Sequence, residues 1–319
     1  MKKILLGIFL LASSLAFSVE RILSYEETFL DEKTGKVHAK GEQTPYTGVI
    51  KNFKIPGEDG VFEGKISFKD GVIDGLVELY YSNGKLAEMA TFKNGEKNGI
   101  QKKYYENGQI KMEVLHKNGK KDGMSKLYST KGILEDEFPF KNDMLDGLVK
   151  KYNGVTGKLE IESTYKNGKT DGIQKEYCEN GQIKMEVLHK NGKEEGYLRT
   201  YYLNGKLEGE EKYQNGLREG LTKSYYEDGS LEGERFYKNN NLEGINKIYH
   251  PNGKLAKIAV FKNGELDGTV KTYYPNGKLE GIGTFKDGKI DGIQKEYYEN
   301  GQIEMESLAK NNKKNGIGR

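Results

Sequence analysis

The chain has 319 residues, of which 35% are hydrophobic and 31% charged, and its 51 basic residues nearly balance its 48 acidic ones. This balance gives no indication of a nucleic-acid or anionic-membrane partner. The single cysteine, Cys178, excludes an internal disulfide and stands where other repeats have tyrosine, which indicates sequence drift rather than a redox or catalytic thiol.

The first predicted element is an export signal over residues 1–18. Lysines at positions 2 and 3 give a basic start, an apolar stretch too short to span a bilayer follows, and an Ala-Phe-Ser cleavage site ends at Ser18. A buried N-terminal helix is the alternative, which the lack of a polar face disfavours. We therefore expect export to the periplasm, the cell surface or the medium.

The rest of the chain is dominated by an internal repeat. Residues 19–47 are interpreted as an opening segment and residues 48–74 as a degenerate first repeat. Ten repeats occupy residues 75–316, each of 24 residues except one of 25, and residues 317–319 form a tail. A fixed period in this range predicts tandem units that contact mainly their neighbours, which favours a scaffold over a catalytic pocket. The boundary glycines are Gly75, Gly99, Gly123, Gly147, Gly172, Gly196, Gly220, Gly244, Gly268, Gly292 and Gly316.

Each repeat is predicted to be a β-hairpin. In the repeat that begins at Gly99, Asn107-Gly108 and Asn118-Gly119 interrupt two runs rich in Ile, Val and Tyr. Asn-Gly favours a two-residue type I′ turn, with a three-residue bulged turn as the alternative. No apolar pattern of 3.6-residue period favours a helix. The predicted fold is all-β, an elongated single-layer antiparallel meander of tandem ~24-residue hairpins.

Three columns appear when each repeat is numbered from its boundary glycine as position zero, leaving out the extra turn residue of the 25-residue repeat. Position five is always tyrosine, position eleven is Leu or Ile, and position seventeen is usually aromatic. Together these columns are expected to form a thin, ladder-like core. The alternative role of the tyrosines is an aromatic platform for sugar rings. The candidate platform residues are Tyr201, Tyr225, Tyr249 and Tyr273.

Position three is basic in nine of the ten repeats. A two-residue Asn-Gly loop places it opposite position fourteen, which is glutamate in seven repeats, so we expect cross-strand ion pairs of little energetic weight. Lys247 and Lys271 face Ile258 and Ile282 instead, which makes these two lysines the candidate contact surface for an anion or partner. The predicted pairs are Lys102–Glu113, Lys126–Glu137, Lys150–Glu162, Lys175–Glu186, Arg199–Glu210, Lys223–Glu234 and Lys295–Glu306.

Two segments resemble a known repeat. LEGEEKYQNGLREG at residues 207–220 and LEGERFYKNNNLEG at residues 231–244 resemble the MORN repeat, whose pattern is an aromatic, any residue, a glycine, an Asn-Gly turn and a closing glycine. The whole unit, with Tyr-Tyr-x-Asn-Gly at its centre, is similar to the variant MORN repeat of bacterial proteins, some of which are described as antitoxin-like. The resemblance covers roughly residues 41–316. It implies the hairpin fold and, for function, a scaffold, antitoxin-like or membrane-lipid-binding role.

Catalytic motifs are absent from the sequence. Its four histidines are dispersed, and no phosphate-binding loop or nucleophile motif occurs. We expect no enzyme activity, no cofactor and no metal. The expected function is a non-enzymatic exported scaffold that binds a protein partner or a host or envelope surface. The alternative is a glycan- or cell-wall-binding array, which the absence of tryptophan disfavours.

The export prediction is testable in the producing cell. We expect the mature protein to begin near Val19, because only residues 1–18 combine a basic start, an apolar stretch and small residues before the cut. N-terminal sequencing of the purified protein gives the answer. An intact Met1 in a cytosolic fraction would contradict export.

Overall fold

The computed structural model of the chain describes residues 20–57 and 60–314, so the predicted export signal lies outside the described residues. Apart from one 3-10 turn, the regular structure in these ranges is β-strand, which confirms the all-β prediction. The chain divides into two compact units. Of the described residues, unit 1 comprises 20–57, 60–108 and 116–119, and unit 2 comprises 109–115 and 120–314.

Unit 1 has a small hydrophobic core around Tyr46 and Ile50, each 1% exposed. The Tyr46 hydroxyl lies 2.9 Å from the carbonyl oxygen of Arg21 and 3.0 Å from that of Val49, so it ties the opening segment to the first long strand. The elements of unit 1 are β1 (Ile22–Ser24), a 3-10 turn (Tyr25–Glu27), β2 (Thr28–Asp31), β3 (Lys36–Ala39), β4 (Gly48–Gly57), β5 (Gly60–Lys69), β6 (Val72–Tyr80), β7 (Leu86–Lys93) and β8 (Glu96–Tyr104). Strand β1 pairs in parallel with β4, whereas β4 to β8 pair antiparallel in chain order.

Unit 2 is an antiparallel meander in which neighbouring strands pair, except that a two-residue strand and the strand after it both pair with the long strand that precedes them. The boundary between the units falls within β9 (Ile110–Lys117). The strands that follow are β10 (Lys120–Tyr128), β11 (Leu134–Lys141), β12 (Met144–Leu145), β13 (Gly147–Tyr152), β14 (Leu159–Lys166), β15 (Lys169–Tyr177), β16 (Ile183–Lys190), β17 (Lys193–Tyr201), β18 (Leu207–Gln214), β19 (Leu217–Arg218), β20 (Gly220–Tyr225), β21 (Leu231–Lys238), β22 (Asn241–Leu242), β23 (Gly244–Tyr249), β24 (Leu255–Lys262), β25 (Glu265–Leu266), β26 (Gly268–Tyr273), β27 (Leu279–Lys286), β28 (Lys289–Tyr297), β29 (Ile303–Lys310) and β30 (Lys313–Lys314). The tandem-hairpin prediction is thus confirmed.

The turn between repeats is the predicted two-residue turn. Between β16 and β17, Asn191 and Gly192 have φ values of 51° and 84°. Lys190 and Lys193 face each other across the turn. Positive φ at both central residues is the type I′ geometry that suits the twist of a hairpin.

The turn within each repeat is longer than predicted. Between β17 and β18, the Tyr202 amide donates to the Lys206 carbonyl at 2.9 Å, and only Gly205 of the Asn-Gly pair is left-handed, at φ 81°. The Asn204 side chain accepts the Lys206 amide at 2.9 Å, which stabilises the longer turn. The prediction of a two-residue loop is therefore wrong at this turn.

The predicted cross-strand register nevertheless holds, because a bulge follows the longer turn. Tyr201 pairs with Leu207 and Thr200 pairs with Gly209, so Glu208, at position twelve, is left out of the ladder. The extra residue restores the pairing of position three with position fourteen. The same shift recurs in the other repeats of unit 2.

The two faces of the unit 2 sheet differ in burial. Positions two, four, thirteen, fifteen and seventeen lie on one face, here called the core face, and positions one, three, five, fourteen and sixteen lie on the other, the tyrosine face. The position-five tyrosines are half-buried. They lie on the other face of the sheet from the position-seventeen aromatics, because the intervening turn shifts the alternation of side chains between the faces. The prediction of one shared core was wrong here. The buried residues other than glycine described in unit 2 are Val114, Ser125, Val149, Ser163, Val187, Thr222, Asn246, Ala259 and Ala309, at positions two, fifteen and seventeen.

The boundary glycines generate a stability prediction. At Gly172, with φ 135°, an added Cβ would lie 2.7 Å from the Thr164 Cβ, whereas at Gly181, with φ 84°, nothing lies within 4 Å. We expect Gly172→Ala to lower the free energy of unfolding by about 2–4 kcal/mol and Gly181→Ala by about 1 kcal/mol. Urea unfolding followed by circular dichroism measures both. Equal losses would show that close contact at the boundary is unimportant.

Candidate interaction surface

The basic column of position three lies on the tyrosine face, between two columns of position fourteen. Six of the predicted pairs are directly opposite in register. The Arg199 guanidinium lies 2.8 Å from the Glu210 carboxylate and 3.7 Å from that of Glu186, and the Lys126 ammonium lies 3.3 Å from Glu137. These side chains are partly exposed, so each pair adds little stability. The column is largely neutralised and does not form a continuous anion-binding stripe.

The position-five tyrosines bond to the same glutamates. The Tyr201 hydroxyl donates to Glu186 at 2.9 Å and the Tyr249 hydroxyl donates to Glu234 at 3.1 Å, in each case to position fourteen of the preceding repeat. Tyr225 and Tyr273 have no side-chain hydrogen bond among the described residues. The four tyrosines proposed as an aromatic platform are thus half-buried rungs of a ladder, and two of them use their hydroxyls within it.

Burial also affects how these tyrosines ionise. Desolvation, and then the hydrogen-bonded carboxylates of Glu137 and Glu162, raise the pKa values of Tyr152 and Tyr177 to about 12. Both effects favour the neutral phenol, because a phenolate would be poorly solvated and would be repelled by the glutamate. The ladder is therefore a structural hydrogen-bond network at neutral pH.

The two candidate lysines differ in their surroundings. Lys247 faces Ile258 as predicted, but on its other side it faces Glu234, whose carboxylate lies 3.9 Å from the ammonium. Lys271 lies between Ile258 and Ile282 and has no ion pair among the described residues. Of the predicted pair, only Lys271 remains a candidate anion contact.

An apolar stripe on the tyrosine face was not predicted from the sequence. It consists of positions one and sixteen, which lie directly opposite each other, as in Ile173 with Leu188 and Leu221 with Phe236. Every repeat between Gly123 and Leu308 contributes except the one that begins at Gly268. Its members are between 41% and 58% exposed. The apolar stripe comprises Met124, Leu148, Ile173, Leu188, Tyr197, Leu221, Phe236, Ile245, Ile293 and Leu308.

No group of three or more His, Cys, Asp or Glu side chains in the described ranges is arranged to hold a metal ion. Within the same ranges, no helix combines the length and apolar character needed to cross a membrane.

Comparison with known proteins identifies the repeat. A family model described as MORN repeat variant matches residues 73–94, 97–118, 170–191, 194–215, 218–239, 242–263, 266–287 and 290–311. Residues 119–169 are not matched, although β10 to β14 form the same hairpins there. No curated protein matches this chain.

Likenesses to solved structures are distant. The crystal structure of TcdB2-TccC3 is 12% identical over 85% of this chain and 19% of that chain, with a TM-score of 0.21. ASR alternansucrase in complex with isomaltononaose is 14% identical over 75% of this chain and 16% of that chain, with a TM-score of 0.17. This chain thus corresponds to less than a fifth of the length of either.

The tyrosine ladder predicts an alkaline loss of stability. Tyr152 and Tyr177 have folded pKa values of about 12, above the unfolded value of about 10. Their contribution is therefore complete below about pH 10 and is lost as the pH rises towards 12. We expect the double variant Tyr152→Phe, Tyr177→Phe to lose stability less steeply over that interval, measured by urea unfolding at successive pH values. The same substitution at exposed Tyr298 is the control, and parallel curves would contradict the prediction.

Proposed function

Because this chain belongs to the MORN repeat variant family, which covers more than half of it, we propose that it is a non-enzymatic exported scaffold that binds a protein partner along the apolar stripe. The stripe is the observation that supports this proposal. Large contiguous apolar surfaces on soluble proteins are typical of interaction sites. The ten exposed apolar side chains occupy two columns of one face rather than being scattered singly over the surface.

The charges beside the stripe indicate the chemistry of the partner. Positions three and fourteen border it with lysine and glutamate in alternation, and most of these are paired with each other. A polyanion would meet six glutamates beside the eight basic residues there. A protein segment with an apolar centre and flanking charges of both signs matches this border, since such polar rims surround the apolar centres of protein interfaces.

A photo-crosslinking residue in place of Leu221, on the stripe, tests this proposal in the producing cell. We expect a discrete protein adduct there and none from the same residue in place of Leu203, which is 71% exposed but lies in a turn outside the stripe. Phe236→Glu, directly opposite Leu221, should weaken the adduct about tenfold, as for the loss of one interface anchor.

The outcomes separate the functional classes. A matched Leu203→Glu variant should leave the Leu221 adduct unchanged. Equal adducts from both positions, or adducts insensitive to Phe236→Glu, would contradict docking on the stripe. Adducts to glycan rather than protein would support the alternative of a glycan-binding array.

A further inference from the structure

Unit 1 contains a cavity of about 510 Å³ between its sheet and the segment that precedes β4. Strands β4 and β5 provide the floor, where Ile50, Ile66 and Phe68 are between 1% and 7% exposed. The 3-10 turn and the β2–β3 hairpin provide the roof through residues that include Tyr25 and Leu30. We call this space the unit 1 cavity.

Backbone contacts fix the β2–β3 hairpin over the sheet. The Val37 amide donates to the carbonyl oxygen of Gly71 at 2.9 Å, and the Tyr46 amide donates to that of Val37 at 2.8 Å. At Gly71, with φ 77°, an added Cβ would lie 2.8 Å from the Lys36 Cβ, so the hairpin lies close to the sheet there. The roof is therefore a fixed part of unit 1.

The aromatic rings of the roof are held by neighbouring rings. The Tyr25 ring meets the Phe53 ring edge-on, with centroids 4.8 Å apart, and the Phe29 ring stacks on His38 at 5.4 Å. Such ring pairs add stability beyond the area that they bury. The cavity is therefore formed before a ligand binds, and its volume is within the range of about 300–1,000 Å³ that is typical of small-molecule sites.

The lining offers little to a polar or charged group. None of its described residues is charged. Thr28 is 7% exposed, and its hydroxyl already donates to the carbonyl oxygen of Tyr25 at 2.8 Å. The volume corresponds to about 17 water molecules at ~30 Å³ each, and aliphatic and phenyl side chains give such waters few hydrogen-bond partners. Hydrocarbon would therefore displace water from the cavity readily.

The cavity has a mouth that reaches the surface. Three of the lining residues are large and exposed, namely Tyr25 at 51%, Phe29 at 45% and Leu30 at 58%. Exposed lining residues mark the side on which a cavity meets solvent. A ligand can therefore keep a polar end in water at the mouth while its apolar part is inside.

We propose that the unit 1 cavity binds a small, uncharged amphiphile from solution. Its hydrocarbon part packs against Ile50, Ile66 and Phe68, and its polar end stays at the mouth beside Tyr25 and Leu30. A charged group inside would have no counter-ion among the described lining residues, and its burial would be unfavourable. The proposal does not depend on the apolar stripe, because the stripe belongs to unit 2.

The test is a titration of the mature chain, labelled at its isoleucine methyl groups, with 1-octanol, followed by nuclear magnetic resonance. Saturable shifts are expected at Ile50, Ile66 and Ile73, which line the cavity, and not at Ile173 or Ile245 of the apolar stripe. 1-Hexanol should bind about tenfold more weakly, because two fewer methylene groups are buried. Sorbitol, which is uncharged but has no hydrocarbon chain, should cause no saturable shift.

Matched variants locate the binding. Leu30→Trp places a larger side chain in the mouth and should weaken octanol binding about tenfold, as for the loss of about two buried methylene groups. Leu76→Trp, the same substitution at a residue of β6 that is 38% exposed and does not line the cavity, should leave binding unchanged. Ile73→Phe should fill the interior and abolish the shifts at Ile50 and Ile66, and an otherwise unchanged spectrum shows that the variant is folded.

Three results would overturn the proposal. The first is that 1-octanol causes no saturable shift at the cavity isoleucines, and the second is that Leu30→Trp and Leu76→Trp bind it equally tightly. Leu30 is largely exposed, so this comparison does not depend on a change to the core. The third is that vesicles of phosphatidylcholine shift the cavity isoleucines and 1-octanol does not, which would assign the cavity to a membrane lipid instead.

Discussion

The cross-strand register of the hairpin within each repeat is the constraint on which the rest of unit 2 depends. Tyr201 pairs with Leu207 across a five-residue turn. If the two strands paired regularly from there, position fourteen would lie opposite position two. The glutamates would then be on the core face, because a slip of one residue exchanges the two faces. The bulge at position twelve prevents this. The bulge keeps the position-fourteen glutamates on the tyrosine face, beside the position-three basic residues and the position-five tyrosines. It also keeps the small residues of positions two and fifteen opposite each other on the core face.

A single-layer sheet also has no second layer to cover its core face. Small side chains, such as those of Ser163, Val187 and Ala259, are buried on that face. The position-seventeen aromatics lie on the same face. Tyr165 and Phe261 pair directly with the boundary glycines of their repeats. Each repeat buries little area of its own, so its stability depends on contact with the neighbouring hairpins.

Much of this was predictable from the sequence. The period, the strands, the turns between repeats and six registers of position three with position fourteen follow from Asn-Gly spacing and column identity, and four of these six pairs form ion pairs. The longer turn did not follow, since it depends on the Asn204 side chain accepting a backbone amide two residues on. The partner of Lys247 was missed because each strand has two neighbours, and Glu234 belongs to the other hairpin. The apolar stripe was missed because its columns include polar residues and resemble an ordinary core alternation.

Position fifteen shows how different side chains are accommodated on the core face without a change of register. Gly209, Gly233 and Gly281 have the same backbone position, yet position fifteen of their repeats is Glu211, Arg235 and Gly283, respectively. The Arg235 guanidinium lies over Gly233, whereas no position-fifteen side chain lies within 4 Å of the space above Gly209 or Gly281. In repeats such as the one containing Val187, the same column is part of the buried line. A substitution at position fifteen therefore changes the space above the core face of a repeat, while the register that the bulge sets keeps the adjoining hairpins paired.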